Sequence, residues 1–268
     1  MLARKFIRNA KNQPVKTIVK LIHRHRLSPI QMEQMWSIYK EYYNCSKVSF
    51  MERITLNNLY ALYVKDGLIR GFTGLRINHI EVEGKKKFLI YFGQTIVPWG
   101  LKGRELFPKT TAKLLLKYWK EALFTETWAW YDALTFKAYM IPAKTVPSFY
   151  PNCRTATPPL VKKLMDHIGK HYYGENYCER TGTISKPMPF VKTTYRKIGD
   201  ELLINKDVAF FAASNPRYEE GHGLLTCVPL HVKNLIVIIR PFWKKGLAGR
   251  KASTMRQSLT LQAASRCK

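Results

Sequence analysis

Runs of alternating apolar and polar residues along the chain predict strands, because successive side chains of a strand point to opposite faces. The clearest signal is a hairpin, in which Asp66-Gly67 forms a two-residue turn between two apolar runs. The segment KKKFLIYFGQTIVP, residues 85–98, is apolar nearly throughout and predicts a strand buried on both faces. The other predicted strands are residues 15–23, 127–135, 208–214, 224–232 and 235–240.

Other stretches repeat apolar residues every three or four positions, as amphipathic helices do. In the first of them Ser28 is a good N-cap, Pro29 stands at the first helical position and Gln31 completes a capping box. Three further helices are predicted from Ser49, from Glu105 to Phe124, and from Thr157-Pro158 to near Gly174. The side chains expected to be buried are Ile30, Met35, Ile38, Tyr39 and Tyr42 on the first helix and Leu106, Leu114, Leu115, Tyr118 and Leu123 on the third.

Composition indicates one folded domain with strongly basic ends. The chain has 268 residues, of which 46% are hydrophobic, and this is enough for a sizeable core. Residues 1–26 and 240–268 each hold eight Lys or Arg and no acid, so the two ends supply 16 of the formal net charge of +27. We therefore predict a flexible basic N-terminus at 1–14, a single domain at 15–243 and a basic, disordered tail at 244–268.

The positive charge favours anionic partners, namely nucleic acid, anionic lipid and acidic proteins. Five scattered cysteines without a CxxC pair indicate a reducing compartment. No apolar run approaches 18 residues, and no apolar h-region follows the basic N-terminus, so neither a transmembrane helix nor a secretory signal is predicted. We expect a cytoplasmic protein, with an organellar transit peptide at the acid-free N-terminus as the alternative.

The predicted elements run in the order strand, helix, helix, hairpin, buried strand, glycine-containing turn, helix, strand and helix. This order resembles that of the GNAT (Gcn5-related N-acetyltransferase-like) fold. Three stretches within residues 15–175 carry the likeness: YALYVKDGLIRGFTGLRI, YFGQTIVPWGLKGRELFPKTTAKLLL and WAWYDALTFKAY. The resemblance implies an α+β fold whose central, mostly antiparallel sheet has a splayed strand pair and helices on both faces. It also implies an acyltransferase that moves an acyl group from a thioester to an amine or hydroxyl acceptor by direct attack.

The second of these stretches predicts an anion site without reference to any family. A helix N-terminus presents unpaired N–H groups and the positive end of a dipole, and glycines let a phosphate approach the backbone. In the GNAT fold this loop holds the pyrophosphate of coenzyme A or the phosphate of a phosphopantetheine arm, and the preceding strand binds the amides of the arm. The predicted donor-binding residues are Gln94, Ile96, Val97, Gly100, Lys102, Gly103 and Arg104.

The loop departs from the family pattern Arg/Gln-x-x-Gly-x-Gly/Ala. When Gly103 is aligned with its first glycine, Gly100 stands where Arg or Gln is usual, and Glu105 stands where the second small residue is usual. A carboxylate there repels a pyrophosphate, which favours an acyl-phosphopantetheine on an acyl carrier protein over acyl-CoA as the donor. Carrier proteins are acidic, so a basic surface would attract them.

Direct acyl transfer needs a base for the acceptor, a hydrogen-bond donor to the oxyanion and a proton donor to the leaving thiolate. The backbone of residues 94–97 is the candidate oxyanion donor. Tyr131 and Tyr139 are the candidates for protonating the thiolate, because the GNAT family often keeps a tyrosine after its fifth strand. His222, which lies between two glycines, is the candidate base. For each of these side chains an ordinary structural role is the alternative.

Two further pairs of residues have reactive side chains. His167 and His171 have the spacing of a metal-binding pair on a helix, but no third ligand is evident, and no metal site is expected. Arg154 could lower the pKa of the neighbouring Cys153 thiol and make it a nucleophile, with a buried inert thiol as the alternative. The two tryptophans of WAWYDALT could line an acyl pocket or belong to the core.

Two other functions stay open, and in both of them the GNAT-like fold would be catalytically inert. A nucleic-acid-binding protein would use the basic ends to neutralise phosphates, although no helix-turn-helix, zinc-finger or RNA-recognition signature is present. A protein of anionic membrane surfaces would use the segment KTTAKLLLKYWKEALF, in which lysines stand beside Leu, Tyr and Trp.

Overall fold

The computed structural model describes residues 16–98, 100–186 and 190–240, without the side chain of Arg104. The predicted basic ends at 1–14 and 244–268 lie outside the described residues. The strands are β1 (Ile18–His23), β2 (Leu59–Lys65), β3 (Leu68–Val82), β4 (Lys85–Ile96), β5 (Glu126–Ala133), β6 (Tyr177–Cys178), β7 (Thr183–Ile184) and β8 (Gly223–Pro229). The helices are α1 (Pro29–Tyr42), α2 (Lys47–Thr55), α3 (Gly103–Lys117), α4 (Trp119–Phe124), α5 (Phe136–Thr145), α6 (Pro159–Tyr173), α7 (Thr193–Arg196), α8 (Asp200–Leu203), α9 (Lys206–Ser214) and α10 (232–240).

All eight strands belong to one sheet in the order β1-β2-β3-β4-β5-β8-β7-β6. Neighbouring strands are antiparallel except β4 and β5, which are parallel. The pairing of β4 with β5 extends only from Lys87 opposite Glu126 to Tyr91 opposite Trp130, and then the strands part. The predicted GNAT-like architecture, mostly antiparallel with one splayed pair, is confirmed.

Both faces of the sheet are covered by helices, as predicted. Side chains that alternate along a strand belong to different clusters: Ala61 packs with residues of α3, α5 and α9, whereas Tyr60 and Leu62 pack with α1 and α2. On that second face, α6 covers β5 and β8 in a separate cluster that includes Trp130. The second face is therefore covered in two parts, by α1 and α2 over one half of the sheet and by α6 over the other.

The predicted hairpin turn is confirmed, because Asp66 and Gly67 have φ values of 54° and 76° between β2 and β3. A second hairpin turn, which the sequence analysis missed, joins β3 to β4 at Glu83 (φ 52°) and Gly84 (φ 68°). Glutamate rarely takes a left-handed backbone, so this turn carries a weaker sequence signal than Asp-Gly.

The first helix is capped as predicted. Ser28 Oγ accepts a hydrogen bond from Gln31 N at 3.2 Å, and Gln31 Oε1 accepts one from Ser28 N at 3.0 Å. Met35 and Tyr39 are buried, but Ile30 is 72% exposed, so its predicted burial is wrong. Five residues of an α-helix correspond to a rotation of about 140° beyond a full turn, which takes Ile30 off the face of Met35.

The predicted bounds of two helices and the predicted burial of one side chain are corrected. The second helix begins at Lys47 with Ser46 as its N-cap, not at Ser49. The third helix is interrupted at Tyr118 (φ −114°, ψ 42°), and the predicted burial of Leu123 is wrong because this residue is 67% exposed on α4.

The segments 208–214 and 235–240 are helical, in α9 and α10, instead of the predicted strands. Asn205 caps α9, because its side chain accepts from the N–H groups of Asp207 and Val208. Short apolar runs do not distinguish a strand from a buried helix by periodicity, and this is the reason for the error. The strand predicted at 224–232 is confirmed as β8 only as far as Pro229, and residue 232 already belongs to α10.

Candidate active site

A cleft of about 1200 Å³ opens where β4 and β5 part. Pairing between these strands stops at Tyr91, whereas β4 continues to Ile96 and stays paired with β3 on its other side. The edge of β4 that faces β5 beyond Tyr91 therefore has backbone N–H and C=O groups that β5 does not engage. Residues 91–98 line the cleft along this edge.

A β-bulge at Gln94 lies just beyond the point where the pairing of β4 with β5 ends. Gly93 pairs with Gly74 and Ile96 with Phe72, so β4 has one residue more than β3 between these pairs. Gln94 has a left-handed φ of 44°, and its Oε1 accepts hydrogen bonds from Asn57 Nδ2 at 2.7 Å and Tyr60 Oη at 2.9 Å. A bulge bends its strand, and these two bonds hold the bend in place.

A tight turn connects β4 to α3 at one end of the cleft. Leu101 N donates to the Pro98 carbonyl at 3.1 Å, and Gly100 has a φ of 90°, which only glycine adopts readily. Lys102 is the N-cap of α3, and its side chain makes no capping hydrogen bond to the first turn of the helix. A Cβ on Gly103 would meet other atoms only at 3.9 Å, so Gly100 is the glycine that the turn requires.

The structure brings most of the predicted donor-binding residues together. The side chain of Arg104 lies outside the described residues. Glu105, which departs from the family pattern, is not part of the described cleft lining; it forms ion pairs with Lys102 at 4.0 Å and Lys109 at 3.7 Å. The predicted residues that line the cleft are Gln94, Ile96, Val97, Gly100, Lys102 and Gly103.

On the face covered by α3 and α5, the cleft is walled mainly by apolar side chains, and we call this part the apolar arm. Its walls include Leu101, Phe107, Ala138, Ile141, Val146 and Leu230. Tyr131 of β5 also lines it and donates its hydroxyl to the Ala138 carbonyl at 3.3 Å. Burial, with the nearby Tyr139 and Cys227, raises the pKa of Tyr131 well above its ordinary value. Tyr131 therefore keeps its proton at neutral pH.

On the opposite face of the sheet the cleft is walled by aromatic side chains, and we call this part the tyrosine arm. Its aromatic residues are Tyr39, Tyr42, Tyr43, Tyr91, Tyr172, Tyr173, Phe190 and Tyr195. At its inner end, Asp132 accepts hydrogen bonds from Tyr91 Oη at 2.9 Å and from Lys186 Nζ at 2.6 Å. The Tyr91–Asp132 bond joins β4 to β5 just beyond the point where their backbone pairing ends.

Asp132 stays charged although it is buried. Burial alone would raise the pKa of this carboxyl group, but the ammonium of Lys186 and the hydroxyl of Tyr91 outweigh that effect and leave the pKa below its ordinary value. Burial and the Asp132 charge raise the pKa of Tyr91 strongly, so Tyr91 acts as a hydrogen-bond donor. A Cβ on Gly93 would overlap the ring of Tyr91, so glycine at this position lets the ring lie along β4.

The other two predicted catalytic residues do not line the described cleft. Tyr139 is fully buried on α5, and its hydroxyl donates to the Pro151 carbonyl at 3.0 Å. His222 precedes β8 and is 7% exposed, and burial together with the nearby Arg217 lowers its pKa. Because neither side chain lines the described cleft, we assign neither a role in the site.

The structure supports neither of the two roles considered for Cys153, because this residue is exposed instead of buried and its thiol is not activated. Arg154 binds the carboxylate of Asp207 at 2.8 Å, and the Cys153 thiol donates to the same carboxylate at 3.4 Å. Partial burial and the Asp207 charge raise the pKa of Cys153 more than Arg154 lowers it. This cysteine therefore lacks the thiolate character of a nucleophile.

The histidine pair and the two tryptophans considered as site residues lie outside the described cleft lining. The rings of His167 and His171 lie 6.3 Å apart on α6, and no group of three metal-binding side chains occurs in the described part of the chain. Trp128 and Trp130 are buried beneath α6 and belong to the core instead of the cleft lining.

Sequence reasoning missed most of the tyrosine arm, including Tyr91, Asp132 and Lys186. Asp132 did leave a signal, because an acid in the otherwise apolar strand WAWYDALT implies a buried and paired charge. Its partner Lys186 lies 54 residues further along the chain and has no local signal.

No helix within the described ranges has the length and hydropathy to cross a membrane.

No model of a known protein family matches this chain, and no curated protein matches it. Among solved structures, it is similar to a conserved protein of unknown function from Enterococcus faecalis V583 described as "Probable N-Acyltransferase", with 8% identity, a TM-score of 0.34 and coverage of 46% of this chain and 31% of that one. An acyl-CoA N-acyltransferase from Pseudomonas aeruginosa matches with 13% identity, a TM-score of 0.33 and coverage of 44% and 80%. The GNAT family N-acetyltransferase YhbS from Escherichia coli, in complex with CoA, matches with 11% identity, a TM-score of 0.34 and coverage of 50% and 68%. This chain thus spans about a third of the length of the first of these proteins.

Proposed function

We propose that this protein is an acyltransferase that moves an acyl group from a phosphopantetheine thioester to an amine or hydroxyl acceptor. The observation that carries the proposal is the cleft between the parted strands β4 and β5, which joins the turn before α3 to the buried Asp132. A phosphopantetheine arm is long, thin and rich in amides. An open strand edge suits such a ligand, because backbone groups can pair with its amides as a further strand would.

The turn at residues 98–103 is the proposed seat of the donor phosphate. It combines the uncapped start of a 15-residue helix with the left-handed Gly100 and the cleft-lining Lys102. Glu105 lies beside Lys102 and reduces the positive charge there. We therefore favour a donor with one phosphodiester, carried by an acidic acyl carrier protein, over the more highly charged acyl-CoA.

The chemistry that we propose is direct attack by the acceptor on the thioester carbonyl carbon. Backbone N–H groups of residues 94–97 would stabilise the oxyanion of the tetrahedral intermediate. As the C–S bond breaks, the thiolate takes a proton from the hydroxyl of Tyr131, which solvent later reprotonates. Asp132, the only acid in the described cleft lining, takes the proton that the acceptor nitrogen or oxygen loses and then releases it to solvent, so both side chains return to their resting protonation states.

A variant that fills the apolar arm tests this proposal. Ala138→Trp places a large side chain in the cleft, whereas the control Lys144→Trp adds the same group to an exposed position on α5 outside the cleft. An acyl-pantetheine, an acyl-CoA and an acyl carrier protein are tested by thermal unfolding and by thiol release. A donor at about a hundred times its Kd should stabilise the native chain and the control against unfolding by about 2.7 kcal/mol. The same donor should not change the stability of Ala138→Trp, because the added side chain blocks the cleft. The proposal fails if no donor stabilises the native chain.

The exposed side of α3 and α4 favours a second candidate function, attachment to an anionic membrane surface. Four large apolar side chains there are more than half exposed: Leu116, Trp119, Leu123 and Phe124. Exposed lysines lie beside them at Lys113, Lys117 and Lys120. We call these seven residues the basic apolar face. Apolar side chains bordered by lysines suit the boundary between acyl chains and anionic headgroups.

A further inference from the structure

The tyrosine arm holds more positive charge than the proposed acyl transfer uses. The one acid of the described lining, Asp132, is already paired with Lys186. Arg53 in the last turn of α2 and Arg76 on β3 also line the cleft. Neither arginine has a carboxylate partner among the described residues. Their charges are therefore free to attract an anion.

Both arginines lie at the C-terminal end of α2. Arg76 Nε donates to the carbonyl of Leu56, the C-cap of that helix, at 3.0 Å. Arg53 stands three residues before Leu56, and its guanidinium carbon lies 3.8 Å from the centre of the Phe190 ring. The negative end of a helix dipole offsets part of the repulsion between two such cations. Both arginines therefore line the cleft close to this helix end, Arg76 through its bond to Leu56 and Arg53 through its place in the last turn of α2.

Aromatic rings hold Arg76 in a defined orientation. Its guanidinium carbon lies 5.0 Å from the ring centre of Tyr91 and 5.1 Å from that of Tyr172, whose hydroxyl is held by Asn78 at 2.7 Å. Because Nε is bonded to Leu56, the two terminal nitrogens remain, and they have no hydrogen-bond partner in the described ranges. A planar fork held in this way binds a carboxylate or a phosphate through two parallel hydrogen bonds.

We infer that the acceptor substrate carries an anionic group, a carboxylate or a phosphate, which binds to Arg76 and Arg53. The organic part of the acceptor packs against the tyrosine walls, and its amine or hydroxyl points toward Asp132 on the same face of the sheet. That the bound molecule is an acyl acceptor rests on the proposed acyl transfer. The anion site itself depends only on the two arginines. The tyrosine arm therefore selects for an anionic, aromatic or aliphatic amine or alcohol.

Calorimetric titration of the full chain with matched pairs of small molecules tests the inference. The pairs are 3-(4-hydroxyphenyl)propionate with its amide, and phenyl phosphate with phenol. The anionic member should bind about tenfold more tightly than its neutral partner, and the pair with the larger ratio identifies carboxylate or phosphate as the preferred group. Arg76→Gln and Arg53→Gln should each remove most of this ratio. Arg70→Gln, an exposed change on the same strand as Arg76 and outside this cleft, should leave it unchanged.

The outcomes separate this inference from the proposed function. Equal affinities within both pairs, no binding of either anion, or an unchanged ratio in the variants would overturn it. Thermal unfolding verifies that each variant is folded; if Arg76→Gln is not, Arg53→Gln and the charge-retaining Arg76→Lys decide. The titration contains no thioester. A chain that binds these anions through its arginines but gains no stability from any donor would thus refute acyl transfer and keep the anion site.

Discussion

Asp132 carries a charge in a mostly buried position, where it is stabilised by the ion pair with Lys186. It lies at the inner end of the tyrosine arm with only 10% of its side chain exposed, and Lys186 is equally buried at 11%. Removing one partner of such a pair leaves the other charge buried and uncompensated. The same carboxylate is the proposed proton acceptor, so this one side chain contributes both to the stability of the fold and to the proposed reaction.

Asp132→Asn should therefore destabilise the protein by about 3–5 kcal/mol at neutral pH, measured by denaturant unfolding. The matched control Glu83→Gln breaks an ion pair with Lys163 in which both side chains are 56% exposed, and it should change stability by less than about 1 kcal/mol. If both variants lose the same small amount, the buried pair does not contribute as we describe.

The pH dependence follows from the direction of the Asp132 shift. Because its folded pKa lies below the ordinary value of about 3.9, its contribution to stability is complete above that pH and is lost as the pH falls through the folded pKa. The difference in stability between the native chain and Asp132→Asn should therefore shrink below about pH 4. A difference that is constant down to pH 2 would contradict this.

Helices α3 and α4 line the cleft at one end and expose the basic apolar face at the other. The first turn of α3 faces the cleft, and the interruption at Tyr118 gives α4 a direction of its own. Leu114 is buried, whereas Leu116 is 76% exposed, so the pair of helices has one face in the core and the basic apolar face in solvent. Neighbouring apolar side chains exposed in this way are typical of protein or membrane interaction sites.

Replacing Leu123 and Phe124 by serine should weaken attachment to vesicles of phosphatidylcholine with about a third phosphatidylserine, measured by flotation. The control Leu160→Ser changes an equally exposed leucine on α6, outside the basic apolar face, and should have no effect. About 0.5 M salt should also release the native chain, because screening weakens the attraction of the lysines. If the native chain does not float at low salt, the membrane proposal is wrong.

At the scale of the whole molecule, part of the positive charge lies at the two ends of the chain and part lies in the cleft. Residues outside 16–240 hold 11 of the 45 Lys and Arg and none of the 18 acids. The cleft adds Arg53, Arg76, Lys102 and Lys137 to the Asp132–Lys186 pair. Attraction of nucleic acid or acidic proteins by the ends is therefore separable from ligand binding in the cleft.

Deleting residues 1–14 and 246–268 should abolish non-specific binding of duplex DNA, if the full chain shows it, and leave the thermal shift by a thioester donor unchanged. Binding by the ends should fall steeply with salt, because each neutralised phosphate releases a counterion. A sequence-selective affinity that survives the deletion would instead support the nucleic-acid hypothesis. Gel shift at several salt concentrations distinguishes the two results.

The sequence by itself determined the features that depend on neighbouring residues. The Ser28–Gln31 capping box, the Asp66-Gly67 turn and the glycine turn before α3 each require only a few adjacent side chains and backbone angles. The buried character of β4 was also predicted, because a strand covered on both faces is apolar throughout. These local signals were sufficient for the order of elements and hence for the GNAT-like fold.

Tertiary structure alone decided which side chains meet in the cleft. Tyr131 and Tyr139 are eight residues apart, yet one lines the apolar arm and the other is buried against Pro151. Asp132 pairs with Lys186 across 54 residues, and the opening between β4 and β5 lies beside an extra residue in the register of β4 against β3. Long-range contacts of this kind have no period or spacing in the sequence, because they are selected by the packing of whole elements and not by the preferences of adjacent residues.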